Sequence, residues 1–124
     1  MTPHPKIVLV AEDQMLVRME AADALTLQGY EVMEVDGADD ALAVLEARAA
    51  DIGVLFTDIQ MPGSMDGLAL AHHARRNWPW IGLLIASGKE RPSSTEMPAG
   101  CRFLSKAYDP DHMVDQVREL IAAH

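Results

Sequence analysis

The chain has a single cysteine, Cys101, so no internal disulfide can form and no cysteine pair is available to hold zinc. Nothing points to a secreted, stapled fold, and Cys101 itself reads as a small buried hydrophobe. Long apolar runs are missing as well. The opening MTPHPK leads straight into IVLVA, which stops at Glu12 and Asp13, far short of a signal-peptide core or a membrane span. That reading places the chain in the cytoplasm, away from any membrane. Basic residues are scarce, with 10 Lys and Arg against 19 Asp and Glu for a net charge of -9. Phosphate contacts need a basic face, so direct nucleic-acid binding is not expected, whereas basic or divalent-cation partners suit such a surface. With 124 residues, 49% of them hydrophobic, residues 1–124 have the length and apolar content of one globular domain with a real core.

Short apolar β-branched runs alternate with helical patterns, the signature of a parallel sheet covered on both faces. The expected strands are Ile7 to Ala11, Glu31 to Val35, Ile52 to Thr57, Ile81 to Ala86 and Cys101 to Ser105. Each is followed by a helix candidate. The first helix is expected from about Met15 to Gln28, with Leu16, Met19, Ala22 and Leu25 as its core stripe and Gly29 as its stop. The others span about Ala38 to Ala49, Leu68 to Asn77 and Asp111 to Ala122. Between Gly88 and Gly100 stand Pro92 and Pro98, and proline breaks helix interiors, so the fourth helix is expected to be short, irregular or mobile. Five βα units in this order predict an α/β fold, a doubly wound five-stranded parallel sheet of flavodoxin-like order 2-1-3-4-5. Ligands of such sheets gather outside the carboxyl ends of the strands.

Those ends carry Glu12 and Asp13, Asp58, Ser87 and Lys106, so four strands deliver three carboxylates, a hydroxyl and an ammonium to one edge. Taken singly, each residue has a bland reading as a cap, a strand end or a solvated charge. Together they are hard to assemble by chance. Two carboxylates about 4 Å apart repel by about 4 kcal/mol at an effective dielectric of about 20, so the cluster needs a cation or shifted pKa values. Mg²⁺ fits, since it prefers carboxylate and carbonyl oxygens while keeping several waters.

From Lys6 to Leu120 the chain resembles the response-regulator receiver family, known as CheY-like, on the segments VAED (10–13), FTDIQMPGSMDG (56–67), IASG (85–88) and FLSK (103–106). The strand order of that family is the one expected above. The resemblance implies that Glu12 and Asp13 position Mg²⁺, that Asp58 is the phosphoacceptor, and that the backbone carbonyl of Gln60 completes the protein ligands. It further implies that Ser87 bonds a phosphoryl oxygen, Lys106 pairs with the acylphosphate, and Phe103 is the rotating switch aromatic. The implied donor is a histidine kinase or histidine phosphotransfer protein, with an unknown protein downstream. Such a domain is a signalling module with phosphotransfer and slow autodephosphorylation chemistry.

Three features depart from the commonest family pattern: the turn PGSMDG is one residue longer, Ala107 stands where proline is usual, and the fourth helix is curtailed. A trans Lys106–Ala107 peptide with the lysine still reaching Asp58 is expected. Gln60 and Lys89 are placed to influence phosphoryl lifetime, and Met15, Arg18 and Met19 read the partner from the exposed side of the first helix unless both methionines face the core. Two other classes stay in view. An aspartyl-phosphate phosphohydrolase wants a second Asp where Gln60 stands and more chain than this. A receiver-fold module could also signal only through protein contacts. A nucleotide-binding module fits less well, because neither a Walker lysine loop nor GxGxxG follows the first strand.

Overall fold

The computed structural model describes residues 7–89 and 91–123. Runs of Val, Ile and Leu form the strands β1 (Ile7–Ala11), β2 (Glu31–Val35), β3 (Ile52–Asp58), β4 (Gly82–Ser87) and β5 (Arg102–Ser105). They make one parallel sheet in the order β2-β1-β3-β4-β5. The inner strands β1, β3 and β4 are buried along their whole lengths, whereas the edges β2 and β5 are only partly covered. That difference explains their sequences: strands covered on both faces read as unbroken apolar runs, and an edge such as EVMEV can carry charge.

The helices α1 (Met15–Leu27), α2 (Ala38–Arg48), α3 (Gly67–Asn77) and α4 (Pro110–Ala122) cover the sheet, with one 3-10 turn at Ala49–Asp51 after α2. Side chains alternate along each strand, and the two faces collect separate cores. Ile7, Leu9, Ala11, Leu55, Leu83 and Ile85 pack with α2 and α3. Val8, Val10, Val54, Phe56, Leu84 and Ala86 pack with α1 and α4. Local chemistry sets the helix ends. Asp66 caps α3 by accepting from the Ala69 N–H at 2.8 Å, and Asp109 caps α4 by accepting from the Asp111 N–H at 2.9 Å, ahead of Pro110 in the first turn. Gly29, at φ 91°, ends α1 in a conformation that favours glycine.

Three expectations need correction. The stripe on α1 is only half right, since Ala22 and Leu25 are buried but Leu16 is 76% exposed and Met19 also faces solvent. Residues spaced strictly by three drift around a helix of about 3.6 residues per turn, and nine residues make two and a half turns. Leu16 therefore lies opposite Leu25, and Ala21 joins Ala22 and Leu25 on the inner face. The second correction concerns the weak fourth helix: among the described residues between β4 and β5 there are turns and no helix at all. Pro92 and Pro98 leave too short a stretch between them for a helix to nucleate. The last helix among the described residues is thus the fourth. Cys101 packs against the α2–α3 core but is half-buried rather than buried, and desolvation pushes its thiol up to about 12.

Leu25→Ala should cost about 2 to 5 kcal/mol by emptying core volume, whereas Leu16→Ser should stay within about 0.5 kcal/mol. Urea unfolding of the two variants measures the difference directly, and equal losses would place Leu16 in the core after all.

Candidate functional site

Parallel pairing brings the carboxyl ends of β1, β3, β4 and β5 to one edge, and the residues there are those expected. Asp58 is the last residue of β3, Ser87 the last of β4, and Glu12 follows β1 directly. Asp58 is 4% exposed, and Ser87 and Glu12 are buried with it, while Asp13 stands open to solvent. One carboxylate oxygen from each of Glu12, Asp13 and Asp58 lies within 4.8 Å of the others.

Lys106 answers that concentration of charge. Its ammonium is 2.8 Å from Glu12 Oε1 and 3.1 Å from Asp58 Oδ2, and it donates to Gln14 Oε1 at 3.3 Å. The loop is arranged for this reach: the Lys106 N–H donates to the Ser87 carbonyl at 2.8 Å, carrying the β4–β5 ladder past the strand end. The Lys106–Ala107 peptide is trans, as expected, since no peptide among the described residues is cis. Ala107 instead takes the bend, at φ 66°, in the left-handed region where a Cβ costs about 1 to 2 kcal/mol. A proline, fixed near φ −65°, does not fit that bend.

The balance of charge remains negative. Burial raises the carboxyl pKa of Asp58, an effect that Lys106 and the Gln60 backbone N–H oppose without cancelling. Glu12 is raised for the same first reason, with Lys106 again opposing. Burial alone would depress Lys106, but its bonds to Glu12 and Asp58 outweigh that and hold the ammonium charged above its ordinary range. Asp58 Oδ1 is buried without a hydrogen-bond partner. An orphaned anionic oxygen is costly in such a place, and an oxygen-only donor set with excess negative charge fits a hard divalent cation.

Ser87 has company that its place at a strand end does not foretell. Its hydroxyl donates to Gln60 Oε1 at 2.8 Å and accepts from the Lys89 N–H at 3.0 Å. Gln60 therefore meets the site through its side chain, a contact that spacing along the chain could not show. Phe103 is half-buried on β5, and the Arg91 guanidinium lies 5.8 Å from its ring centroid. Tyr108 packs edge-on against Phe56 with centroids 5.7 Å apart, beside a small cavity under Glu12 and Asp58. Burial and the nearby Glu12 charge push its hydroxyl up to about 12, so it stays neutral. Gly67, which the sequence shows only as the end of a turn, has a larger part. A Cβ there would lie 1.8 Å from the Asp58 carbonyl oxygen, so α3 can start against β3 only at glycine.

Known proteins share this fold. A family model described as the response regulator receiver domain matches residues 8–118. The solved receiver domain of the hybrid histidine kinase CckA is 32% identical, with a TM-score of 0.80 over 93% of this chain and 98% of that one. A receiver protein from Sinorhizobium medicae has the same fold at TM-score 0.87 and 24% identity, with 94% of each chain covered. Among curated relatives, the hydrogenase transcriptional regulatory protein HoxA of Cupriavidus necator is 30% identical over 99% of this chain, and the receiver protein CpdR of Brucella abortus is 28% identical over 95%. The chain spans 26% of HoxA but 98% of CpdR.

Gly67→Ala should destabilise by about 3 kcal/mol or more, because the clash is with backbone and the helix start must move. Ala107→Gly should stabilise by about 1 kcal/mol through relief of the left-handed bend. Thermal or urea unfolding checks both signs, and a neutral Gly67→Ala would contradict the close approach.

Proposed function

The chain belongs to the response regulator receiver domain family, and on that premise we propose that it takes a phosphoryl group onto Asp58 from a histidine kinase or histidine phosphotransfer protein. The observation that carries the proposal is the buried edge cluster, in which Lys106 reaches both Glu12 and Asp58 and Asp58 Oδ1 is left without a partner. In the transfer an Asp58 oxygen forms the new bond to phosphorus while the bond from phosphorus to the donor breaks, and the donor keeps that electron pair. Mg²⁺, held by Glu12, Asp13, Asp58 and the backbone carbonyl of Gln60, would neutralise charge on the phosphoryl oxygens. Lys106 adds a fixed positive charge beside the same oxygens. Ser87 offers its hydroxyl to one of them, and with that hydroxyl drawn inward Phe103 turns. The chemistry is positioning and electrostatics, and the domain is a signalling module rather than a conventional enzyme.

The lifetime of the acylphosphate depends on Gln60 and Lys89, which flank Ser87 in the structure. Partner choice falls to the outer side of α1 beside the acidic pair, where Met15 and Met19 are exposed. Arg18, in contrast, is turned inward and tied to Glu12 and Glu34. No described helix is long and apolar enough to cross a membrane. The encounter with the donor is placed, on this reading, in the cytoplasm.

Acetyl phosphate with Mg²⁺ should add one phosphoryl group, read by mass spectrometry, and Asp58→Asn should abolish it. Asp13→Ala should weaken Mg²⁺ binding about tenfold or more with an unchanged circular dichroism spectrum. Labelling that survives Asp58→Asn would defeat the assignment, and no labelling of the wild type would favour a module that acts through protein contacts alone.

A further inference from the structure

Asp13 reaches the cluster from a loop, and loops position side chains poorly unless something holds their backbone. Three of the bonds that hold this one bear on Glu12. The Glu12 N–H donates to the Val35 carbonyl of β2 at 3.1 Å, and the Gln14 N–H donates to Glu12 Oε2 at 2.9 Å. The third comes from Arg18, one turn into α1, whose Nη1 donates to the Glu12 carbonyl at 2.9 Å. Arg18 is 18% exposed, and its Nε lies 3.4 Å from Glu34 Oε1 on β2.

The Glu12 carbonyl and the Asp13 N–H belong to one planar peptide. Fixing the carbonyl fixes the rotation of that plane, and with it the direction in which the Glu12 and Asp13 side chains leave the backbone. A guanidinium suits the task, because its planar fork serves the carbonyl and Glu34 at once and it never loses its charge. We propose that Arg18 is a positioning residue for the divalent-cation site, acting through the Glu12 carbonyl to aim the Glu12 and Asp13 carboxylates. The inference rests on the cation site proposed above and deepens it.

A purely structural strap from α1 to β2 would act through Glu34 instead, and that separates the two roles. Isothermal titration of Mg²⁺ into metal-free protein provides the readout, with urea unfolding alongside. Arg18→Ala is expected to weaken Mg²⁺ about tenfold, equivalent to about 1.4 kcal/mol. Arg18→Lys, which keeps the charge but lacks the planar fork that fits the carbonyl and Glu34 together, should recover part of that loss. Glu34→Gln removes the β2 ion pair and leaves the carbonyl bond, so Mg²⁺ affinity should hold to within about twofold, as for the loss of an exposed pair. Wild-type affinity in Arg18→Ala would overturn the inference, and so would an equal loss in Glu34→Gln. If Arg18→Ala does not fold, Arg18→Gln, too short for the Glu12 carbonyl, is expected to show the same loss and is judged by the same outcomes. A wild type that does not bind Mg²⁺ refutes the cation site itself, whereas tight binding in the wild type and in every Arg18 variant refutes only this inference.

Discussion

Repulsion among Glu12, Asp13 and Asp58 is the constraint on which the rest of the structure depends. Their oxygens lie within 4.8 Å of one another, and two of the three residues are buried. At such separations each like-charged pair costs about 4 kcal/mol at an effective dielectric of about 20. One ammonium, Lys106, is set against three carboxylates, and burial raises the pKa of Glu12 and Asp58 by more than Lys106 lowers it. The edge is thus left with negative charge that a divalent cation can relieve. A cluster fully neutralised by its own lysines and arginines would be a more stable protein and a poorer site.

Holding such a cluster requires rigid support, and the support is backbone. β3 and β4 are buried along their whole lengths, so the residues that end them, Asp58 and Ser87, hang from fully covered strands inside the sheet. The ladder continues beyond the strands, with the Ile59 N–H on the Ala86 carbonyl at 3.0 Å and the Lys106 N–H on the Ser87 carbonyl at 2.8 Å. α3 starts hard against the Asp58 carbonyl because residue 67 is glycine. The bend at Ala107 accepts a strained backbone directly after the lysine that the cluster needs. Strain placed at the site and stability gathered in the sheet are two sides of one arrangement.

Much of this is legible in the sequence, and the parts that are not have physical reasons. Unbroken apolar runs announce β1, β3 and β4 and helical patterns announce the helices, and once the strand order follows, Glu12, Asp58, Ser87 and Lys106 must meet at one edge. Spacing by three on α1 misleads, because a row that looks like a stripe over two turns has crossed to the other face by the third. The absence of a helix among the described residues between β4 and β5 is legible in direction, through Pro92 and Pro98, but not in extent. The Gln60 side-chain bond to Ser87, the packing of Tyr108, the close approach at Gly67 and the Arg18 bond to the Glu12 carbonyl are opaque for a common reason. Their importance lies in contacts between segments distant in the chain, or in where a backbone carbonyl points, and residue type alone carries neither.

The turns that replace a helix between β4 and β5 bear on how the site communicates. A serine hydroxyl has one proton to donate, and in this structure Ser87 gives it to Gln60 Oε1. On the function proposed above, a phosphoryl oxygen on Asp58 takes that donation, and Gln60 is released while the Lys89 N–H keeps its hold on the same Ser87 oxygen. The change therefore enters the β4–β5 segment at Lys89, its second residue after the strand. Farther along, that segment is anchored at separate points rather than through a helical ladder. Met97 is buried, His72 Nε2 meets the Glu96 carbonyl at 2.6 Å, and Arg91 covers Phe103. A helix would carry a displacement along its length as one body. On that proposal, a chain of turns pinned at such points takes up a displacement between the pins rather than passing it along as one body.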